Sequence, residues 1–429
     1  MDDFIVIGSG LAGLSAVKAL LSRGFRTRLI DGGYGLEPER SAVLKRMQEG
    51  AKSSWSKEDI SKIMENNIPS ADGLALKHSY GSDFPYRNTD VSWDWELEGA
   101  KMFRSLAKGG LSNVWGAAIL PVAQQDVREW PIAYNELDEH YRKIFEFMPI
   151  SGGDNDYDGL LPTHTSSIEK FDLCEQARHV LDKSEKNKQS LRENGILIGQ
   201  SRLAADLSGN KGKPKCSKCS LCLHGCPLGL IYNSKDTLDD LGENKLLTYS
   251  PGYLVNRFVE KKGHIEIHTD NIRTKEKSLF KCRKLFLAAG IMSTNRILLR
   301  SLNLYDQPVK LAHSDLFQVP VFLSKNFPNV STEETLTLSQ LNMEIKDERL
   351  GDRLTHIQLY GYNDLLETVF DQKMGAIKGP IKNFIRKHVI GRIMVAKGYL
   401  HSNHSSEIKM ILDKKTKKLL IKGIPNKNA

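Results

Sequence analysis

The first 31 residues constrain the fold more than any other part of the chain. An apolar run from Phe4 to Ile7 leads into the turn Gly8-Ser9-Gly10-Leu11-Ala12-Gly13, and a second apolar run from Thr27 to Ile30 ends on Asp31. The stretch from Leu14 to Arg23 between them has helical character. Strand, glycine turn, helix, strand and acid in this order are typical of a βαβ unit that binds a dinucleotide. The segment therefore predicts an α/β fold.

Each glycine of the turn has a separate physical role in such a unit. Gly8 lets the chain turn sharply, Gly10 removes the Cβ that would block a pyrophosphate, and Gly13 lets helix and strand pack closely. The phosphates would meet the free N–H groups and the positive dipole of the helix N-terminus. Asp31 would accept hydrogen bonds from a ribose 2′-hydroxyl, which argues against a ligand with a 2′-phosphate. On these residues alone NAD and FAD both remain.

The bulk properties exclude several other classes of protein. A length of 429 residues favours two domains, and 40% hydrophobic with 26% charged residues is ordinary for a soluble globular chain. The formal charge of +9 is spread along the sequence without a basic stripe or a nucleic-acid-binding motif, so no nucleic acid partner is expected. The start Met1-Asp2-Asp3 does not resemble a signal peptide, and no apolar run is long enough to span a membrane. We therefore expect a cytoplasmic location.

A second glycine-rich segment begins at Gly109-Gly110 and continues through Trp115 to Ala118. Adjacent glycines permit positive φ, and small residues around a tryptophan permit the backbone to approach something flat and bulky. A glycine-rich loop packed on a core tryptophan is the alternative interpretation. Further along, Pro131 precedes a helix predicted from Glu136 to Phe147, with an apolar face. That face comprises Leu137, Tyr141, Ile144 and Phe145.

Four blocks together resemble the glucose-methanol-choline (GMC) family of flavoprotein oxidoreductases. They are the N-terminal fingerprint, Gly-Gly-Leu-Ser-Asn-Val-Trp-Gly at 109–116, Trp-Pro-Ile-Ala-Tyr-Asn-Glu-Leu at 130–137, and the apolar strand, Ala-Ala-Gly turn and helix at 284–300. The blocks follow one another in the family's order over the first 300 residues. The resemblance implies FAD as the cofactor, wrapped along its length by three separated glycine segments.

The resemblance also assigns roles to individual residues. The N-terminal turn would hold the pyrophosphate, Asp31 the adenosine ribose, the segment 109–116 the pyrophosphate and isoalloxazine, and Val255 with Ala289-Gly290 the adenine. The predicted cofactor-binding residues are Gly8, Ser9, Gly10, Leu11, Ala12, Gly13, Asp31, Gly32, Gly109, Gly110, Ser112, Asn113, Trp115, Gly116, Val255, Ala288, Ala289 and Gly290.

The family implies two domains, a Rossmann-like FAD-binding domain and an antiparallel-sheet (α+β) substrate domain. We expect the first at residues 1–307, with a helical excursion at about 38–100 and a cysteine-rich insertion at about 205–235. The second would occupy 308–429 and be incomplete, because the family's catalytic histidine lies on a final segment that would begin where this chain ends. We assign no catalytic residue: His401 and His404 fall before the last predicted hairpin, and His224 lies among the cysteines.

Four of the six cysteines lie close together, at Cys216, Cys219, Cys222 and Cys226, and Pro227 follows the last. This C-x2-C-x2-C-x3-C-P spacing is that of bacterial ferredoxin ligands, which predicts a [4Fe–4S] or [3Fe–4S] cluster. A zinc site and a set of metal-free thiols are the alternatives, although zinc sites usually split into two separated halves. Cys174 and Cys282 stand alone in apolar surroundings and are expected in the core.

The sequence thus predicts an FAD-dependent enzyme that transfers hydride from a CH–OH group of a sugar or other alcohol to flavin. Electrons would then pass to an external acceptor through the cluster, or otherwise to O2. The alternatives are a non-catalytic FAD-binding fragment or subunit, and a flavin and iron–sulfur electron-transfer protein that does not act on alcohols. We interpret a basic helical segment between Leu365 and Ala396 either as a solvated helix face or as an amphipathic surface that contacts a membrane peripherally.

Overall fold

The structure is a computed structural model, and it describes residues 1–66, 76–89, 95–153, 155–209, 213–373 and 379–426. The strands are β1 (Asp2–Ile7), β2 (Thr27–Asp31), β3 (Trp95–Glu98), β4 (Ile196–Gln200), β5 (Leu247–Pro251), β6 (Tyr253–Lys261), β7 (His264–Asn271), β8 (Lys277–Leu287), β9 (Val309–Leu311), β10 (Leu316–Phe322), β11 (Leu341–Lys346), β12 (Leu354–Tyr360), β13 (Ile393–Tyr399), β14 (Glu407–Leu412) and β15 (Leu419–Ile424). The α-helices are α1 (Leu11–Leu21), α2 (Pro38–Glu49), α3 (Lys57–Met64), α4 (Leu137–Phe145), α5 (Glu175–Lys186), α6 (Lys188–Glu193), α7 (Ser234–Asp240), α8 (Ile291–Ser301), α9 (Asp364–Lys373) and α10 (Pro380–Val389).

A six-stranded sheet in the order β5-β2-β1-β8-β7-β6 carries the N-terminal unit. Strands β5, β2, β1 and β8 are parallel, and β7 and β6 extend the sheet as antiparallel neighbours. Alternate residues of β1 serve opposite faces, as a pleated strand buried on both sides requires. Val6 packs with Leu14 and Val17 of α1, whereas Ile5 and Ile7 pack in the cluster that contains Ile297 of α8. The βαβ prediction is confirmed.

A five-stranded antiparallel sheet, in the order β10-β13-β12-β11-β4, forms the second large layer. Strands β10, β11 and β12 match strands that partial alternation predicts in the C-terminal third of the sequence. Strand β13 is not predicted, and it begins inside the segment from Leu365 to Ala396 that the sequence predicts as helical, so that prediction is wrong from Ile393 onward. Strand β4, however, comes from residues 196–200 and pairs antiparallel with β11, so the sheet draws on chain from before residue 307. The division of the chain at residue 307 stays a prediction.

A third sheet, in the order β3-β15-β14-β9, joins distant parts of the chain. The hairpin of β14 and β15 matches the predicted one, and β3 pairs parallel with β15. Met292 and Leu299 of α8 pack against this sheet together with Met410 of β14. The sheet therefore packs against and supports α8, the helix that follows β8.

The excursion after β2 contains two short helices, α2 and α3, as the sequence predicts. The predicted basic helical segment divides into α9 and α10, and β13 begins at Ile393. Its residues Met374, Ile377 and Lys378 lie outside the described residues. On α10 the side chains of Ile381 and Phe384 are 64% and 65% exposed. In the part of the chain that the structure describes, no helix combines the length and apolar character needed to cross a bilayer.

Candidate functional site

A cavity of about 570 Å³ opens at the carboxyl ends of β1, β2 and β8, where ligands of open α/β sheets bind. All three glycine segments that the sequence singles out contribute to its walls. The predicted residues that line it are Gly8, Ser9, Gly10, Leu11, Ala12, Asp31, Gly32, Gly110, Ser112, Trp115, Val255, Ala288, Ala289 and Gly290. Segments that are far apart in sequence therefore meet at one cavity.

The three glycines of the N-terminal turn have different structural roles. Gly8 has a φ of +99°, and a Cβ there would lie 2.4 Å from the carbonyl oxygen of Ala288. A Cβ on Gly13 would lie 1.8 Å from the carbonyl oxygen of Gly8, so this glycine permits helix and turn to touch. A Cβ on Gly10 would meet no protein atom within 4 Å, because Gly10 borders the cavity. Gly8 and Gly13 are thus required by packing, and Gly10 leaves space for a ligand.

Two helices begin at the wall of this cavity. Helix α1 follows Gly10 and helix α8 follows Gly290, and neither N-terminus receives a side-chain capping hydrogen bond. The first N–H groups of a helix lack intrahelical partners and carry a partial positive charge. Both helix starts line the cavity, α1 with Leu11 and Ala12 and α8 with residues 291–295. The site is therefore suited to an anionic group such as a pyrophosphate.

Asp31 lies at the end of β2 in a network that ties two glycine turns together. Ser9 Oγ donates to its carboxylate, Tyr249 Oη donates to Oδ1 at 2.9 Å, and the Gly109 N–H donates to Ser9 Oγ at 2.8 Å. Burial raises the pKa of Asp31 to about 6, and the hydrogen bonds from Ser9 and Tyr249 and the charge of Lys108 oppose part of that rise. A ligand hydroxyl that donates to the carboxylate would favour its ionised form in the same way.

The second glycine turn is held from behind by residues at the start of α7. Ser112 Oγ donates to the Gly109 carbonyl at 2.6 Å and accepts from the Ser234 N–H at 3.1 Å. Asn233 Nδ2 donates to Asn113 Oδ1 at 2.7 Å. Four predicted residues accordingly support the turns or lie beside them without lining the cavity. These are Gly13, Gly109, Asn113 and Gly116.

Several lining residues do not appear among those predicted from sequence. They are Ile7, residues 103–107, Leu111, Tyr253, Leu254, Leu287 and most of the first turn and a half of α8. The segment 103–107 reaches the cavity because it runs beside Tyr34: the Tyr34 N–H donates to the Leu106 carbonyl at 3.1 Å. The sequence signal for this segment is its position directly before Gly109-Gly110, because a segment that leads into a turn facing a ligand lies near the same ligand.

The four clustered cysteines do not form a metal-binding group in this structure. Among the described residues, no three His, Cys, Asp or Glu side chains are placed to hold a metal ion, and all six cysteines are free thiols. Cys216 and Cys222 pack in an apolar cluster with Leu203, whereas Cys219 packs in another cluster with Met47. The iron–sulfur prediction for Cys216, Cys219, Cys222 and Cys226 is not supported, and we derive no step through a cluster.

The thiols are kept neutral by their surroundings. Burial, with a contribution from neighbouring thiols, raises the pKa of Cys222 to about 12 and that of Cys226 to about 11. Because the thiolate is the reactive form of cysteine, a thiol with so high a pKa is a poor nucleophile at neutral pH. Cys174 and Cys282 are 2% and 0% exposed, which confirms the prediction that they belong to the core.

None of the histidines weighed from sequence lines the cavity. His224 is 1% exposed, and its Nε2 lies 2.6 Å from Asp364 Oδ2, away from the three glycine segments. His401 Nδ1 accepts from the Asn403 N–H at 3.2 Å. These contacts give His224 and His401 structural roles.

Comparison with known proteins yields a fold but no family. No protein-family model and no curated sequence matches the chain. Among solved structures, pyridoxine 4-oxidase from Mesorbium loti matches with a TM-score of 0.53 and 12% identity, over 98% of this chain and 75% of that one. The chain has the fold of pyridoxine 4-oxidase. The predicted α/β class with an additional antiparallel sheet is therefore confirmed.

Two further solved structures match at lower similarity. p-Nitrophenol 4-monooxygenase from Pseudomonas putida has a TM-score of 0.28 and 10% identity, over 98% of this chain and 72% of that one. An aromatic hydroxylase of angucycline biosynthesis has a TM-score of 0.29 and 8% identity, over 94% of this chain and 44% of that one. At these TM-scores neither contributes to the argument.

Proposed function

We propose that this protein is an FAD-dependent oxidoreductase. The observation that carries the proposal is the 570 Å³ cavity, where three glycine segments meet two uncapped helix N-termini and a buried carboxylate. Each feature suits one part of the ligand: the helix starts suit the pyrophosphate, Asp31 the ribose, and Val255 with Ala289 an apolar adenine pocket. The fold shared with a protein named as an oxidase agrees with the same function.

We favour FAD over NAD because the glycine segments that border the cavity come from three parts of the chain, as expected for a long ligand that is contacted along its length. Gly10, Gly110 and Gly290 come from three separate parts of the chain and all border the same space. When bound, FAD would supply a hydride acceptor. The residues described above would bind it, orient it and keep Asp31 ready to accept hydrogen bonds.

We further propose that the reaction is the oxidation of a CH–OH group, as in GMC-type enzymes. The support is the order of the four sequence blocks, together with the fold shared with pyridoxine 4-oxidase. The alternatives are an FAD-binding fragment or subunit without its own activity, and a flavin and iron–sulfur electron-transfer protein that is reduced by another protein or by NAD(P)H.

The absorption spectrum of the purified chain tests the cofactor. Bands near 375 and 450 nm, and FAD released on denaturation, are expected. A protein that stays colourless after incubation with FAD would refute the proposal. Anaerobic mixing of the yellow protein with alcohols or with NAD(P)H then separates the alternatives: bleaching by an alcohol alone supports CH–OH oxidation, whereas bleaching by NAD(P)H alone supports the electron carrier. Bleaching by neither supports the inactive subunit.

The iron–sulfur cluster is a separate hypothesis that rests on the cysteine spacing alone. Its test is the iron and acid-labile sulfide content of anaerobically purified protein. The external electron acceptor, the absence of a nucleic acid partner and the cytoplasmic location likewise stay predictions. Contact with a membrane surface is also a proposal, supported by the exposed Ile381 and Phe384 of α10, and co-sedimentation with anionic vesicles tests it.

A further inference from the structure

The antiparallel sheet β10-β13-β12-β11-β4 has one apolar face and one polar face. Residues directly opposite one another on antiparallel strands share a face, and the face alternates along each strand. Met394 and Ala396 of β13 lie on the apolar face, in a core cluster with Ala177 of α5. The residues that alternate with them lie on the other face. There the strand register aligns polar side chains in two rows, the first of Gln318, Lys397, Gln358 and Asn342 and the second with Tyr399, His356 and Glu344.

This polar face is buried, although antiparallel sheets commonly turn their polar face to water. Asn342 and Gln358 are 0% and 8% exposed. The face lies against the second glycine segment: a Cβ on Gly116 would be 3.6 Å from the hydroxyl oxygen of Tyr360, which is two residues beyond Gln358 on β12. Gly116 directly follows Trp115, which lines the first cavity. The polar face and the glycine segment therefore meet beside the proposed cofactor site.

Four polar side chains on this face form a hydrogen-bonded chain. Tyr360 Oη donates to Gln358 Oε1 at 2.7 Å, and the Gln358 amide donates to His356 Nε2 at 3.2 Å. Because that ring nitrogen accepts, the imidazole proton is on Nδ1, which donates to Glu344 Oε1 at 2.6 Å. The chain holds the four side chains in place and gives the buried carboxylate of Glu344 a partner.

Lys397 lies on the same face but takes no part in this chain. Within the residues that the structure describes, its ammonium has neither an ion pair nor a hydrogen bond, and its nearest aromatic ring is that of Tyr399, with the centroid 5.8 Å from Nζ. Burial lowers the pKa of Lys397, as expected for a cation without a counter-ion. The residue is only half-buried and Nζ keeps accessible surface, so a ligand can reach it.

We propose that the polar face of the antiparallel sheet binds the substrate, and that Lys397 selects an alcohol that carries an anionic group, either a carboxylate or a phosphate ester. This inference rests on the proposed function and adds the substrate class to it. An ammonium donates up to three hydrogen bonds, and those to an anionic oxygen are about twice as strong as those between neutral groups. A neutral alcohol or sugar would leave the half-buried ammonium without a counter-ion. Lys397 is thus a specificity-determining residue.

Alcohols of one shape and different charge test the substrate class. 4-(Hydroxymethyl)benzoate, 4-methylbenzyl alcohol and 4-(aminomethyl)benzyl alcohol carry an anion, a methyl group and a cation at the same position. Calorimetric titration uses the FAD-loaded protein with its flavin reduced beforehand, so that no turnover occurs. The benzoate should bind about 10- to 100-fold more tightly than the neutral alcohol, as expected for hydrogen bonds to a charged group, and the cation should bind most weakly.

Three substitutions locate the effect at one lysine. K397M should abolish the preference for the anion, whereas K397R should keep most of it because the charge remains. K325M is the matched control: Lys325 also lies over an aromatic ring, with Nζ 4.9 Å from the Phe327 centroid, but it is exposed, so this variant should match the wild type. A readout on the wild type complements these variants. After methylation of the lysines with ¹³C, the benzoate should shift the NMR signal of Lys397 and leave that of Lys325 unchanged.

The phosphate ester 4-(hydroxymethyl)phenyl phosphate distinguishes the two anionic groups. Tighter binding than the benzoate assigns a phosphorylated alcohol, and weaker binding assigns a hydroxy acid; both results support the inference. Inorganic phosphate that binds as tightly as this ester would overturn it, because the site would then recognise the free anion and not the alcohol.

The remaining outcomes separate this inference from the proposed function. A protein that takes up no FAD refutes the proposed function. A yellow protein that binds the anionic and neutral alcohols equally, or whose preference survives in K397M, refutes the assignment of Lys397 alone. An NMR signal of Lys397 that does not move with the benzoate refutes it as well.

Discussion

Replacing Gly10 with alanine tests the assignment of the first cavity most directly, because a Cβ added to this glycine would meet no other protein atom and would enter the cavity. Its φ of −67° and ψ of −177° are open to any residue, and an added Cβ would meet no protein atom within 4 Å. We therefore expect G10A to fold with a free energy of unfolding within about 1 kcal/mol of the wild type.

Binding of FAD should nevertheless weaken. The new methyl group would occupy the space where the pyrophosphate meets the N-terminus of α1. Forcing one methyl into a filled site costs about 1–3 kcal/mol, which corresponds to a roughly 5- to 150-fold rise in Kd. Fluorescence titration of apoprotein with FAD measures the change, and thermal unfolding without FAD measures the stability.

Two other glycines provide matched controls. G13A should lose stability, by about 3 kcal/mol or more, because its Cβ would lie 1.8 Å from the Gly8 carbonyl oxygen. G159A lies on an exposed turn with no atom within 4 Å and should match the wild type in both assays. Wild-type FAD affinity in a folded G10A protein would refute the placement of the pyrophosphate, and so would an unfolded G10A protein, since the argument requires an undisturbed apo fold.

Four further predictions concern Asp31, Ser9 and the clustered cysteines. Because burial raises the pKa of Asp31 to about 6, the free energy of unfolding of the apoprotein should fall by about 2 kcal/mol more in the wild type than in D31N as the pH rises from 4 to 6; parallel curves from urea unfolding would contradict this. Since the ribose needs the ionised carboxylate, FAD affinity should drop about tenfold from pH 7 to pH 5 in the wild type and stay level in D31N. S9A should lose about 1–3 kcal/mol of stability in chemical unfolding, because it leaves the Gly109 N–H and Asp31 without their shared partner. The control S22A, on the exposed end of α1, should lose less than about 0.5 kcal/mol. Cys222 and Cys226 should react with iodoacetamide at pH 8 far more slowly in the native than in the unfolded protein, as mass spectrometry would show; about four iron atoms per chain would instead restore the cluster hypothesis.

The elements of the N-terminal unit are readable from sequence because their signals are local. The turn from Gly8 to Gly13 and the helices α2 and α3 each depend on residues a few positions apart, as does the alternation in β10, β11 and β12 of the antiparallel sheet. The lining role of Gly10, Asp31 and Val255 follows from motif order together with the family resemblance. The supporting residues are harder to find, since Asn233 and Ser234 reach the second glycine turn only through the folding of the intervening chain.

The cysteine run shows the limit of spacing as a signal. The four thiols lie close enough to act on one another's pKa, yet among the described residues no three His, Cys, Asp or Glu side chains are placed to hold a metal ion. Spacing brings thiols together in sequence, but the positions of their sulfur atoms depend on how each side chain packs against the rest of the fold.

The sequence by itself determined that three glycine segments and an acid at the end of β2 are present in the order that an FAD-binding fold requires. The tertiary structure alone decided that these segments border one cavity and that β4 joins the antiparallel sheet. The physical reason is the range of the interactions. Backbone conformation at a glycine is set by its neighbours in sequence, whereas a cavity is set by which distant side chains fill the remaining space and which polar atoms they leave without partners.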